Sequence, residues 1–130
     1  MARPALLLLA SLVLAAPALA QNNTMALVCI ENQSSLTTVR FEYQWGDDAW
    51  QTSSIERGYW RRLFHRFDFP DENTAPTLRI RFDADATDGT YFTTQTLQRY
   101  NAPSEDCNGT KGKKYRFTRT GNRLSLVARN

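Results

Sequence analysis

The chain reads as all-β, a small antiparallel β-sandwich or flattened barrel of about seven or eight strands closed by one disulfide. Three observations carry that reading. Val39, Phe41, Tyr43 and Trp45 alternate with Arg40, Glu42 and Gln44 without a slip, which puts every apolar group on one side of an extended strand. Turn residues recur every ten or so positions and leave no room for a long helix. Cysteine occurs twice, as Cys29 and Cys107, and two cysteines permit a single pairing.

Residues 1–20 come first. Arg3 supplies one positive charge, Leu-rich sequence follows, and Ala18-Leu19-Ala20 ends the run. This is the pattern of a secretory leader cleaved after Ala20, and its apolar core is shorter than the roughly 20 residues of a membrane span. The expected mature chain, 21–130, has the size of one domain with one core. It has no further transmembrane run and belongs in the periplasm or outside the cell. Removing Arg3 leaves 15 basic against 13 acidic residues, too small an excess to argue for nucleic acid.

Met25 to Ile30 is apolar at every position, which suits a strand covered on both faces. A polar turn from Glu31 to Ser35 separates it from the Leu36–Trp45 strand, so the two look like a hairpin. Gly46-Asp47-Asp48 is a turn, Ala49 to Ile55 a short strand, and Glu56-Arg57-Gly58 another turn. Tyr59 to Phe69 carries two patterns. Trp60, Leu63, Phe64 and Phe67 have the spacing of a helical face. Aromatic content and the brackets at Gly58 and Pro70 favour a strand. Leu78, Ile80 and Phe82 alternate with Arg79, Arg81 and Asp83 in the next strand. A Thr-rich strand spans Tyr91 to Tyr100, and a long loop from Asn101 to Gly112 contains Cys107. Lys113 to Arg119 and Arg123 to Arg129 flank Thr120-Gly121-Asn122 as a terminal hairpin, with Tyr115, Phe117, Leu124 and Leu126 facing the core.

A Cys29–Cys107 disulfide would close a loop long enough for roughly 4–5 kcal/mol in the chain-entropy picture. It implies an oxidising compartment.

The residues offer little catalytic chemistry. His65 is the single histidine, set among Arg61, Arg62 and Arg66 with no carboxylate nearby in sequence to orient it, and it reads as structural. Asp83, Asp85 and Asp88, followed by Gly89, resemble a calcium loop in outline. The third Asp falls one place late, however, and the twelfth position is Thr94, so no metal is assigned. Asp47, Asp48, Asp83 and Asp85 would serve a carboxylate hydrolase only if their turns share one end of the fold, with acids roughly 5–10 Å apart. Three glycosylation-type sequons begin at Asn22, Asn32 and Asn108. The leader has a bacterial look, and they are read as chance.

Binding is the better use of these residues. Trp45, Trp50, Tyr59 and Trp60 lie around two turns with Arg57, Arg61 and Arg62, and aromatic faces beside guanidinium planes are what interfaces use. Trp45 is assigned to the core; Trp50, Trp60, Arg61 and Arg62 are the candidate ligand surface. A second candidate is the basic hairpin of Lys111, Lys113, Lys114, Arg116, Arg119, Arg123 and Arg129, which equally protects an edge strand. The expectation is a secreted, non-enzymatic module without cofactor that binds an envelope polysaccharide or a protein partner. The alternative is a small inhibitor that presents loop 101–112 to an enzyme.

Overall fold

A computed structural model describes residues 22–85, 92–108 and 113–129. The leader, Asp88 and Lys111 lie outside them. The described residues form nine strands in two sheets, with no helix and one disulfide. They are β1 (Met25–Asn32), β2 (Thr38–Trp45), β3 (Gln51–Glu56), β4 (Trp60–Arg66), β5 (Leu78–Asp83), β6 (Phe92–Leu97), β7 (Tyr100–Ala102), β8 (Lys113–Thr120) and β9 (Arg123–Ala128). Sheet A has the order β4-β1-β8-β9, with β7 also on β1; sheet B has the order β3-β2-β5-β6.

The alternating runs lie as their patterns require. Val39, Phe41 and Trp45 of β2 and Leu78, Ile80 and Phe82 of β5 are buried on the inner face of sheet B. Ala26, Val28 and Ile30 of β1, with Tyr115, Phe117, Leu124 and Leu126 of the terminal hairpin, supply the inner face of sheet A. The layers meet at aromatic rings. Phe117 packs edge-on against Phe82 at 5.2 Å and tilted against Phe41 at 5.9 Å, geometries that favour the ring quadrupoles. Tyr59–Phe69 resolves as a strand over Trp60–Arg66, and Leu63 is its buried anchor.

Two expectations need correction. Leu36–Trp45 does not pair with Met25–Ile30 as a hairpin: β1 lies in sheet A and β2 in sheet B. Asn32 explains the change of layer. Its side chain is fully buried; its Nδ2 donates to the carbonyls of Leu36 (3.2 Å) and Ile55 (3.0 Å), and its Oδ1 accepts from the Ser34 N–H (3.0 Å) and hydroxyl (2.7 Å). With the turn's polar groups bound by that amide, the chain arches from one layer to the other without forming a ladder. Nor is the sandwich antiparallel throughout, because β1 and β8 run parallel, with Val28 opposite Lys113 and Asn32 opposite Phe117.

β1 is the middle of the molecule. Its even positions face the core. Its odd positions Met25, Leu27 and Cys29 form a second apolar pad with Ala102 and Cys107 on the outer face of sheet A. An unbroken apolar run follows from that double cover. Two glycines mark required backbone. Gly46 (φ +54°) turns out of β2 with Pro76 so near that a Cβ would stand 3.0 Å from it; Gly121 (φ +59°) makes the β8–β9 turn.

A groove beside the disulfide as candidate binding site

The outer face of sheet A gathers charge through its register. Cys29 pairs with Arg62 of β4 on one side and Lys114 of β8 on the other. The Arg129 N–H donates to the Lys114 carbonyl at 2.9 Å, which extends the same row past β9. The next row holds Trp60, Glu31, Arg116 and Val127. Strand side chains alternate in direction, so both rows project outward, opposite the buried Val28, Ile30, Tyr115 and Phe117.

One wall of this face is the segment after β7. The Cys29–Cys107 disulfide, with Cα atoms 6.0 Å apart, fastens it to β1. The Thr24 hydroxyl donates to the Pro103 carbonyl at 3.0 Å, and Arg62 Nη1 donates to the Glu105 carbonyl at 3.2 Å. Asp106, Cys107 and Asn108 thereby border an open groove of about 530 Å³ whose other sides are Trp60, Arg62, Glu31, Lys114 and Arg129. Arg129 crosses the face. Its Nη1 sits 3.0 Å from Glu31 Oε2, and its guanidinium lies 5.1 Å from the centre of the Trp60 ring. Trp60 is still 36% exposed. Among the described residues, neither Arg62 nor Lys114 forms an ion pair with a carboxylate.

The four residues singled out from sequence part company here. Trp60 and Arg62 share the groove. Arg61, adjacent in sequence, points the other way and donates to the Ser54 carbonyl of β3 from Nε (3.2 Å) and Nη2 (2.7 Å), clasping the two sheets at one edge. Trp50 belongs to the outer face of sheet B, half-buried beneath Arg81 (4.1 Å from the ring centre) and Arg79 (5.8 Å). Those arginines are themselves occupied, Arg81 by Glu42 and Arg79 by the Gln44 side chain. Trp45 is core, Tyr59 is exposed at its turn, and Arg57 donates to the Ser35 carbonyl.

The basic hairpin divides as well. Lys114, Arg116 and Arg129 stand on the groove side. Lys113 lies 5.4 Å from the Tyr100 ring, Arg119 folds back onto the Gly121 carbonyl (2.8 Å), and the backbone of Arg123, at the start of β9, forms an isolated β-bridge with that of Asp85. Lys114 and Arg129 are the groove residues that the candidate surface of Trp50, Trp60, Arg61 and Arg62 lacked. The alternation Lys114/Tyr115/Arg116/Phe117 already placed Lys114 and Arg116 outside the core; only the parallel pairing of β8 with β1 brings Lys114, and Arg129 next to it, to the face that holds Trp60.

The other chemistry is dispersed. His65 is half-buried with its ring 5.6 Å from that of Trp45. Asp47 and Asp48 follow Trp45, which pairs with Leu78, whereas Asp83 stands beyond the Phe41–Phe82 pair. At about 3.3 Å per residue the two acid pairs sit at opposite ends of sheet B. Asp83 Oδ1 accepts from the Asp85 N–H at 3.0 Å, an ordinary turn contact. No group of three or more metal-ligating side chains occurs among the described residues, and Asp88 lies outside them. Asn32 of the second sequon is buried and fully hydrogen-bonded, unlike a glycan acceptor. No helix of the described residues is long and apolar enough to cross a membrane. Comparison with known proteins finds no matching family model, no matching curated protein and no matching solved structure.

Proposed function

We propose that this protein is a non-enzymatic binding module of the periplasm or cell exterior, and that it meets an envelope polysaccharide or a protein partner through the outer face of sheet A. The observation that carries the reading is the groove in which Trp60, Arg62, Lys114 and Arg129 converge beside a wall held by the disulfide. An aromatic ring next to guanidinium and ammonium groups offers stacking and charged donors at one place, and a disulfide-held wall keeps the site formed before the ligand arrives. The disulfide itself suits an oxidising environment. The separation of the two acid pairs and the packing of His65 against Trp45 weigh against a hydrolytic role. An enzyme inhibited by this chain would meet the same face, where residues 106–108 stand at its rim.

The test is retention on a glycan array and in pull-down from envelope fractions. Trp60→Ala and Arg62→Ala are expected to weaken retention about tenfold or more, as removal of an interface anchor does, with unchanged unfolding cooperativity. Trp50→Ala is expected to bind as the parent does. Equal retention by all three would remove the outer face of sheet A from the account.

A further inference from the structure

We infer that the ligand of this groove is a polysaccharide bearing repeated negative charges, carboxylate or phosphate, laid across the strands of sheet A; the inference rests on the binding role proposed above. Its basis is the register row. Arg62, Cys29 and Lys114 lie side by side on three adjacent strands, and Arg129, just past the end of β9, continues the row. Neighbouring strands are about 4.8 Å apart, so Arg62 and Lys114, on either side of β1, are set about 10 Å apart at the backbone, while the Arg129 guanidinium reaches back across the face to Glu31 and Trp60. Screening acts over roughly 8 Å at physiological ionic strength. Arg62 and Lys114, the two without a carboxylate partner among the described residues, stand beyond that length from one another, so a small anion meets one of them at a time, while a polymer with regularly placed charges engages both and gains by multivalency.

The acids in the groove choose among polymers. Glu31 and Asp106 stand among the cations. A chain with acceptors alone, such as an acidic peptide side-chain array, meets them as repulsion. A sugar chain presents hydroxyl donors to those carboxylates and anionic groups to Arg62 and Lys114, and a pyranose face covers the exposed edge of Trp60. Among the described residues the groove offers no apolar pocket in which a protein partner would seat its anchor residues. Its border is Asp106, Cys107, Asn108 and charged side chains around a single ring.

The experiment measures retention of the full oxidised mature chain on four immobilised polymers: polygalacturonate, a phosphodiester-linked hexose polymer, neutral dextran and poly-glutamate. Polygalacturonate or the phosphate polymer is expected to bind, and which of them does identifies the anionic group. Two neutralised charges on a single-stranded polyanion give a salt exponent of about −1.4, so raising salt from about 50 to about 200 mM lowers affinity roughly 5–10-fold. The Arg62→Glu/Lys114→Glu variant loses more than about tenfold; Arg62→Gln/Lys114→Gln serves in its place if charge reversal impairs folding. Dextran bound as tightly as polygalacturonate, with loss only in Trp60→Ala, overturns the charge requirement and leaves the groove as a glycan site. Poly-glutamate bound as tightly as polygalacturonate overturns the carbohydrate class. Undiminished polymer binding by both charge variants removes the groove itself, and no retention of either anionic polysaccharide at low salt overturns the inference.

Discussion

The two outer faces of this sandwich are built from the same residue types and end in different states. Each carries a tryptophan and several arginines. On sheet B, Arg81 pairs with Glu42, Arg79 with Gln44, and both cover Trp50. On sheet A, Arg62 and Lys114 have no carboxylate partner among the described residues, and Trp60 keeps a third of its surface in solvent. What separates the faces is what stands across from each arginine. β2 places Glu42 opposite Arg81 and Gln44 opposite Arg79, whereas β1 places Cys29 opposite both Arg62 and Lys114. Putting a disulfide where an acid would have sat leaves both cations without a carboxylate across the strand. A tryptophan with arginines nearby is therefore a weak signal until the cross-strand neighbour is known.

The largest expected effect attacks this contrast at its centre. Replacing Cys29 and Cys107 together by Ala opens a loop with a sequence separation of 78 residues and is expected to cost about 3–5 kcal/mol in urea unfolding. Retention of anionic polymer should fall in the same variant, because the wall at Asp106–Asn108 loses its fastening. Full retention in a destabilised double variant would show that the wall is dispensable. A smaller effect tests the other face. Trp50→Ala removes a ring held under two guanidinium groups and is expected to lower stability by about 2 kcal/mol, against about 1 kcal/mol or less for Trp60→Ala. Thermal or urea unfolding of the pair checks it; the reverse ranking would mean that Trp60 is the structural tryptophan.

The smallest effect lies in the connection between the sheets, after β4 and before β5. The Phe69 N–H donates to Glu72 at 3.1 Å and, with the Thr74 side chain, holds the Glu72 carboxyl below its usual range. A lowered folded-state pKa contributes stability that is present above the ordinary carboxylate range and is lost as pH falls through the lowered value. Glu72→Gln should lower neutral stability slightly and flatten the acid limb of the stability profile by the same small amount. An acid limb identical to the parent's would assign that slope to other carboxylates.

Much of the fold was legible in short patterns. Val39–Trp45 and Leu78–Phe82 carry a period-two signal that a half-buried strand can hardly avoid, and Met25–Ile30 announces double cover by having no polar side. Tyr59–Phe69 resolved on its brackets and not its spacing, since Leu63 alone of the helical set is fully buried. Pairing was not legible. The β1–β8 contact joins residues far apart in sequence, and a parallel neighbour leaves no turn signal of its own. The arch at Asn32 looked like a hairpin turn because Asn and Ser serve both. For the site, Trp60 and Arg62 were accessible from sequence, Lys114 and Arg129 only as part of a basic hairpin. The divergence of Arg61 from Arg62 follows from strand alternation once a strand is accepted.

The parallel pairing has a consequence for how the molecule is made. β1 leaves the ribosome early, while β8, which closes one of its sides, is among the last strands to be synthesised. Until then one edge of this run of six apolar residues lacks its final neighbour, although β4, β7 and sheet B have already been made, and an open strand edge seeks other chains when left waiting. Production of this protein should therefore be limited by how well its first strand is shielded during synthesis, with non-local closure making the final step slow.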